Sequence, residues 1–119
     1  MTRRLEGPDF LTPPAFQILL ALADQNRHGL GIGEEVEAKT EGGVLLGPGT
    51  LYGTIKRLFE IGLIIEAPQA PDPSNDDPRR KYYSITPLGR EALAREARRL
   101  EIMVHVARSK AVLNSVEGR

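Results

Sequence analysis

A chain of 119 residues, 40% apolar and 27% charged, has the length of one domain with a modest core and the composition of an ordinary globular protein. It contains no cysteine, which excludes disulfides and thiolate metal sites, and no apolar run near the ~18 residues that a bilayer span needs. Its 16 Lys and Arg cancel its 16 Asp and Glu, so net charge alone does not mark a nucleic-acid binder.

Residues 1–10, "MTRRLEGPDF", carry Arg3 and Arg4 without the apolar stretch of a secretory leader. They are expected to form an N-terminal arm, and the protein is expected to be cytoplasmic. Thr12 followed by Pro13 reads as an N-cap and first helical position. Ala15, Ile18, Leu19 and Leu22 then recur at helical spacing, so a first helix is expected to end near Gln25. Ile32 and Val36 lie on one face of a second helix expected from about Leu30 to Thr40, stopped by Gly42 and Gly43. A third helix opens at Pro48 and closes at Gly62. Leu51, Ile55 and Leu58 form its apolar back, with Phe59 beside them. Gly49, Tyr52, Gly53, Lys56, Arg57 and Glu60 form its outer face.

"LIIEA" and "RKYYSI" read as two strands. The segment between them, residues 68–79, holds Pro68, Pro71, Pro73 and Pro78 and reads as the loop of a hairpin. Charge is sorted here. Asp72, Asp76 and Asp77 precede a basic run of Arg79, Arg80 and Lys81. Of the paired tyrosines, Tyr83 with Ile85 is expected to face inward. Thr86-Pro87 repeats the cap-and-proline start, and a last helix is expected over residues 87–113. Along it Leu93, Ala97, Leu100, Val104, Ala107 and Ala111 step like a heptad seam, with Ile102, Val106 and Leu113 as a second apolar row. One domain core covers one row, so the seam is expected to meet a second copy. Residues 114–119 read as a tail. Three helices, a β-hairpin and a long helix make a mainly α fold with a β-hairpin wing: a winged helix-turn-helix over residues 11–86, followed by a dimerisation helix.

"GPGTLYGTIKRLFEIGLI" followed by "RRKYYSITPLGREAL", with "HGLGI" upstream, resembles the PadR family of bacterial transcriptional regulators over roughly residues 11 to 95. The resemblance implies a DNA-binding repressor that dimerises through its C-terminal helix, as in small members with a single such helix. Two positions depart from the family pattern. Gly53 stands where proline is usual, and Leu30 stands where tyrosine is frequent. Some small relatives hold flat aromatic drugs between tryptophans, and this chain has none.

The major groove admits a helix, and Tyr52 and Lys56 have the chemistry to meet phosphate, a thymine methyl or guanine there, with Arg57 further round. Backbone N–H groups at Gly49 and the hydroxyl of Thr50 suit a phosphate. Arg79, Arg80 and Lys81 suit the adjacent backbone or minor groove. The expected partners are double-stranded DNA with a two-fold symmetric operator and a second copy of the chain. A small apolar or aromatic effector, held between the dimer helices and the core, is an expectation compatible with this reading. The competing class is a winged-helix module that binds a protein instead of DNA, for which the neutral net charge and acidic wing tip speak. Enzyme readings fail on inventory. His28, in a loop, and His105 lack ligand spacing. "GLGIG" lacks the spacing and preceding strand of a dinucleotide fingerprint, and "GPGT" lacks the lysine of a P-loop. Asp76 and Asp77 suit a turn rather than an acid–base pair. No cofactor, metal or catalysis is expected.

Overall fold

A computed structural model of the chain describes residues 10–68, 77 and 79–113. The order is α1 (Pro13–Ala21), β1 (Arg27–His28), α2 (Gly29–Lys39), α3 (Pro48–Glu60), β2 (Ile64–Glu66), β3 (Tyr82–Ile85) and α4 (Pro87–Ser109). Most of the arm, the loop residues 69–76 and 78, and the tail lie outside the described residues.

Thr12 caps α1 as its spacing predicts, its Oγ1 accepting from the Ala15 N–H at 3.2 Å. The helix stops at Ala21 rather than near Gln25. There the Arg27 guanidinium donates to the Ala21 carbonyl at 2.7 Å, supplying the partner that a further helical turn would otherwise provide. Helix α3 ends as Gly62 predicts. That residue has φ 85°, and the Leu63 N–H closes on the Leu58 carbonyl at 2.9 Å.

The sheet corrects the expected two-stranded hairpin. It has three antiparallel strands in the order β1-β3-β2, with Arg27 opposite Tyr83 and Ile64 opposite Ile85. His28 is therefore no loop residue, and a strand does precede "GLGIG". Two residues are too few to show a sequence period, so only backbone pairing reveals β1.

Helix α4 starts on Thr86, whose Oγ1 accepts from the Gly89 N–H at 3.0 Å and donates to the Gly62 carbonyl at 2.8 Å. It stops at Ser109, short of Leu113. Ala111 takes φ 61°, and the Val112 N–H closes on the Ala107 carbonyl at 2.9 Å. An alanine in this conformation costs about 1 kcal/mol, and it leaves no glycine for a sequence reader to find. Ala111 thus falls off the helical seam.

Ile18, Leu19 and Leu22 of the first helical segment meet Ile32 and Val36 of α2 and Leu51, Ile55 and Leu58 of α3. Leu63, Ile64, Ile85, Ala92 and Leu93 close the core. Tyr83 packs against it, as expected. Phe59 does not join the apolar back of α3, being 50% exposed. One buried charge is Glu96, which accepts from the Leu11 N–H at 3.3 Å and pairs with Arg99. The Arg99 guanidinium holds the Glu96 carboxyl below its usual range, against the opposing effect of burial. Arg99 also lies over the Phe10 ring, 5.1 Å from its centroid. Together these contacts fasten the start of the described chain to α4.

Candidate nucleic-acid interface

Gly47 enters α3 in an extended conformation and Pro48 sets the first helical φ, with no side chain capping the end. The N–H groups of Gly49 and Thr50 have no acceptor within the helix by geometry, and both residues are exposed. The positive end of the helix therefore faces outward. Because Leu51, Ile55 and Leu58 are buried, Tyr52, Lys56 and Arg57 point away from the core. Lys56 lies 4.0 Å from Glu60 one turn on, an exposed pair that contributes little to stability.

Tyr52 leans towards the start of α2. A Cβ on Gly29 would lie 2.5 Å from Tyr52 Cε1 and 2.8 Å from its hydroxyl, so the ring occupies space that only glycine leaves open. His28 caps α2, with Nδ1 accepting from the Gly31 N–H at 3.1 Å. Its other nitrogen, Nε2, faces Arg80 Nη1 at 3.2 Å, and its ring meets Tyr82 edge-on at 5.2 Å. The Asp77 carboxylate accepts from the Arg79 N–H at 2.9 Å and from its guanidinium at 3.0 Å, while the Asp77 carbonyl accepts from the Arg80 N–H at 3.0 Å. Asp77 thus opens the turn that its residue type predicts, and Arg79 holds its carboxyl below the usual range. Asp76 lies outside the described residues. Lys81 Nζ lies 3.6 Å from Glu66.

Tyr52, Arg79, Arg80 and Lys81, which the sequence places in separate elements, come together with His28, Gly29, Leu30 and Tyr83 around a cleft of about 420 Å³. Arg57 is not among them. It lines a second groove of about 310 Å³ on the other side of α3, with Phe10, Thr12, Gly53 and Thr54. Lys56 stands on the outer face, lining neither. His28 and Gly29 are the residues that the sequence reading passed over. The signal was a polar residue just before a glycine-rich helix start, where a cap belongs.

The five seam positions that lie on α4 divide. Leu93 is buried in the chain's own core. Ala97, Leu100 and Val104 are exposed, alongside Ile102 and Met103, and Ala107 is half-buried. No helix among the described residues is long and apolar enough to cross a membrane.

Residues 18–95 match the model of the transcriptional regulator PadR-like family. The 37.1 kDa protein in transposon TN4556 of Streptomyces fradiae is 41% identical over 80 residues, which cover 67% of this chain and only 21% of that relative. The transcriptional regulator Rv3488 of Mycobacterium tuberculosis is 36% identical over 84 residues, covering 71% of this chain and 72% of the other. Among solved structures, a transcriptional regulator from Clostridium thermocellum, Cth-833, superposes with a TM-score of 0.68 at 25% identity, over 81% of this chain and 87% of that one. All but the transposon protein are described as regulators of transcription, and none as an enzyme.

Proposed function

Because this chain belongs to the PadR-like family of transcriptional regulators, we propose that it is a cytoplasmic, homodimeric repressor that binds a two-fold symmetric site on double-stranded DNA. Residues 11–86 form the DNA-binding unit in this reading. Dimerisation falls to α4 and the residues that follow it, up to Leu113. The observation that carries it is the convergence of Tyr52 from α3 with Arg79, Arg80 and Lys81 from the wing on one cleft, beside an outward-facing Lys56. Helix α3 enters a major groove, where Tyr52 and Lys56 meet base edges and the phosphates beside them. Gly49 and Thr50 offer N–H groups to a phosphate at the helix start, Arg57 borders the contact, and the wing cations sit on the neighbouring backbone. In the same reading a small apolar or aromatic effector binds between the dimer helices and the core.

The second reading, a protein-binding module, draws on the pairing of Arg79 with Asp77 and Lys81 with Glu66, which reduces the wing's effective positive charge. Salt dependence separates the two. Arg80→Ala is expected to weaken binding to all duplexes alike and to flatten log K against log salt by about 1 per copy, about 2 for the dimer. Tyr52→Ala is expected to lower affinity for a preferred duplex more than for a mixed one. Equal salt slopes for wild type and Arg80→Ala would remove the wing from the interface. A wild type that binds no duplex at low salt would favour the protein-binding reading.

Gly29 gives a sharper expectation. Every atom that an alanine Cβ at Gly29 would crowd belongs to the far end of the half-exposed Tyr52 side chain, so Gly29→Ala should change stability by less than about 0.5 kcal/mol. Specific DNA affinity should nevertheless fall about tenfold, the scale of one displaced direct contact. Fluorescence anisotropy and thermal melts on the same sample check both halves.

A further inference from the structure

The groove of about 310 Å³ that Arg57 lines, between α1 and α3, is separate from the wing cleft. Its lining is mostly aliphatic. Leu11, Ala15 and Leu58 are buried there, and Ile61 is half-buried. Gly53 leaves it open on the α3 side, where a Cβ would meet nothing within 4 Å. The chain start that supplies Phe10 and Leu11 is fastened to α4. The Leu11 N–H donates to Glu96 at 3.3 Å, and the Arg99 guanidinium lies 5.1 Å from the centroid of the Phe10 ring. The groove is therefore formed before any ligand arrives.

Its charge is one-sided. Arg57 is the one charged side chain among the described residues that line it, and no carboxylate is among them. Glu60, the acid closest to Arg57 in the sequence, pairs with Lys56 instead. Small-molecule sites join a mainly apolar lining of this size to a few placed polar groups. A planar guanidinium matches a carboxylate through two parallel N–H···O bonds. The apolar groups on offer are methyls and methylenes, and the single ring, Phe10, already carries Arg99 on one face.

We propose that this groove binds an amphipathic monoanion, a medium-length aliphatic carboxylate whose chain lies against Leu11, Leu58 and Ile61 and whose head meets Arg57. No residue of α4 lines the groove among those described, so it is distinct from the effector space proposed beside the dimer helices. Binding is measured without DNA, so this inference stands or falls independently of the DNA-binding reading.

The test titrates octanoate, below its micelle concentration, into the full nitrogen-15-labelled chain and follows the backbone amides. Saturable shifts are expected at Leu11, Thr12, Ala15, Gly53, Thr54 and Arg57. Octanol should bind about tenfold more weakly, lacking the charge that strengthens the bonds to Arg57. Hexanoate should also bind about tenfold more weakly, for two methylenes fewer. Arg57→Gln should weaken octanoate about tenfold and octanol less than about twofold. Gly53→Leu puts a side chain into the groove and should abolish the shifts, with a melting temperature no lower than wild type. Equal affinity for octanoate and octanol, octanoate binding unaltered by Arg57→Gln, or shifts confined to α4 would each overturn the proposal. So would the absence of any saturable shift. Groove amides that move with protein concentration and ignore octanoate would give the groove to a second copy and overturn it too.

Discussion

Leu100→Asp is expected to sediment as a monomer where the wild type sediments as a dimer. Helix α4 is 23 residues long, and its buried residues, Gly89, Ala92, Leu93 and Glu96, all lie in its first half. Beyond Glu96 it carries Leu100, Ile102, Met103 and Val104 at 37%, 57%, 49% and 42% exposure. Apolar side chains contiguous along one stretch of helix mark an association surface. In a two-fold dimer each position is used twice, so one substitution introduces two carboxylates. Truncating or charging a central contact costs about 2 kcal/mol per copy, about 4 kcal/mol for the pair. That weakens the dimer by roughly a thousandfold. Folding should be spared, because Leu100 lies outside the core. A dimer that survives the substitution would mean that the exposed row of α4 is not what joins the copies.

The largest effect on stability is expected at Gly89. A Cβ there would lie 2.2 Å from the Leu63 carbonyl oxygen and 2.8 Å from Ile85 Cγ1. The first obstacle is backbone and cannot rotate away. Relief requires the start of α4 to lift from the sheet, which strains the Thr86 N–H bond to the Leu63 carbonyl at 3.0 Å and the Thr86 hydroxyl bond to Gly62. Gly89→Ala should destabilise by about 3 kcal/mol or more, at the upper end of overpacking costs. For a domain of this size that lowers the melting temperature by more than about 10 °C. Gly53→Ala is the contrasting control. Nothing lies within 4 Å of a Cβ at that position, so an alanine in mid-helix should stabilise by up to about 1 kcal/mol. A Gly89→Ala melt within a few degrees of wild type would show that the helix start yields more easily than these contacts imply.

The difference between those two glycines shows where a sequence stops being readable. Gly53 stands out as a departure from the family pattern, yet a Cβ there would meet nothing within 4 Å. Gly89 looks like an ordinary glycine in the first turn of a helix, yet a Cβ there would lie 2.2 Å from the backbone oxygen of Leu63, just before β2. Helices α1 to α3 are legible because capping residues, prolines and apolar periodicity are local signals, and the wing's second and third strands are legible from their β-branched and aromatic runs. Strand β1 is not, because two residues carry no period. The end of α4 is not, because Ala111 adopts a left-handed conformation that its side chain does not advertise. At the candidate site, Tyr52 and the basic run are visible as residue types in exposed positions. His28 becomes visible only when the sheet brings it 3.2 Å from Arg80, a residue 52 positions away.

In the proposed function, α3 and the wing of a dimer read a DNA sequence. The most direct measurement is selection of bound duplexes from a randomised library by the purified wild-type protein. The expected result is an enriched motif of two inverted half-sites with centres about one helical turn apart, ~34 Å, with Tyr52→Ala losing most of the preference for it. A bound pool whose sequences match the input library would contradict sequence reading by this chain.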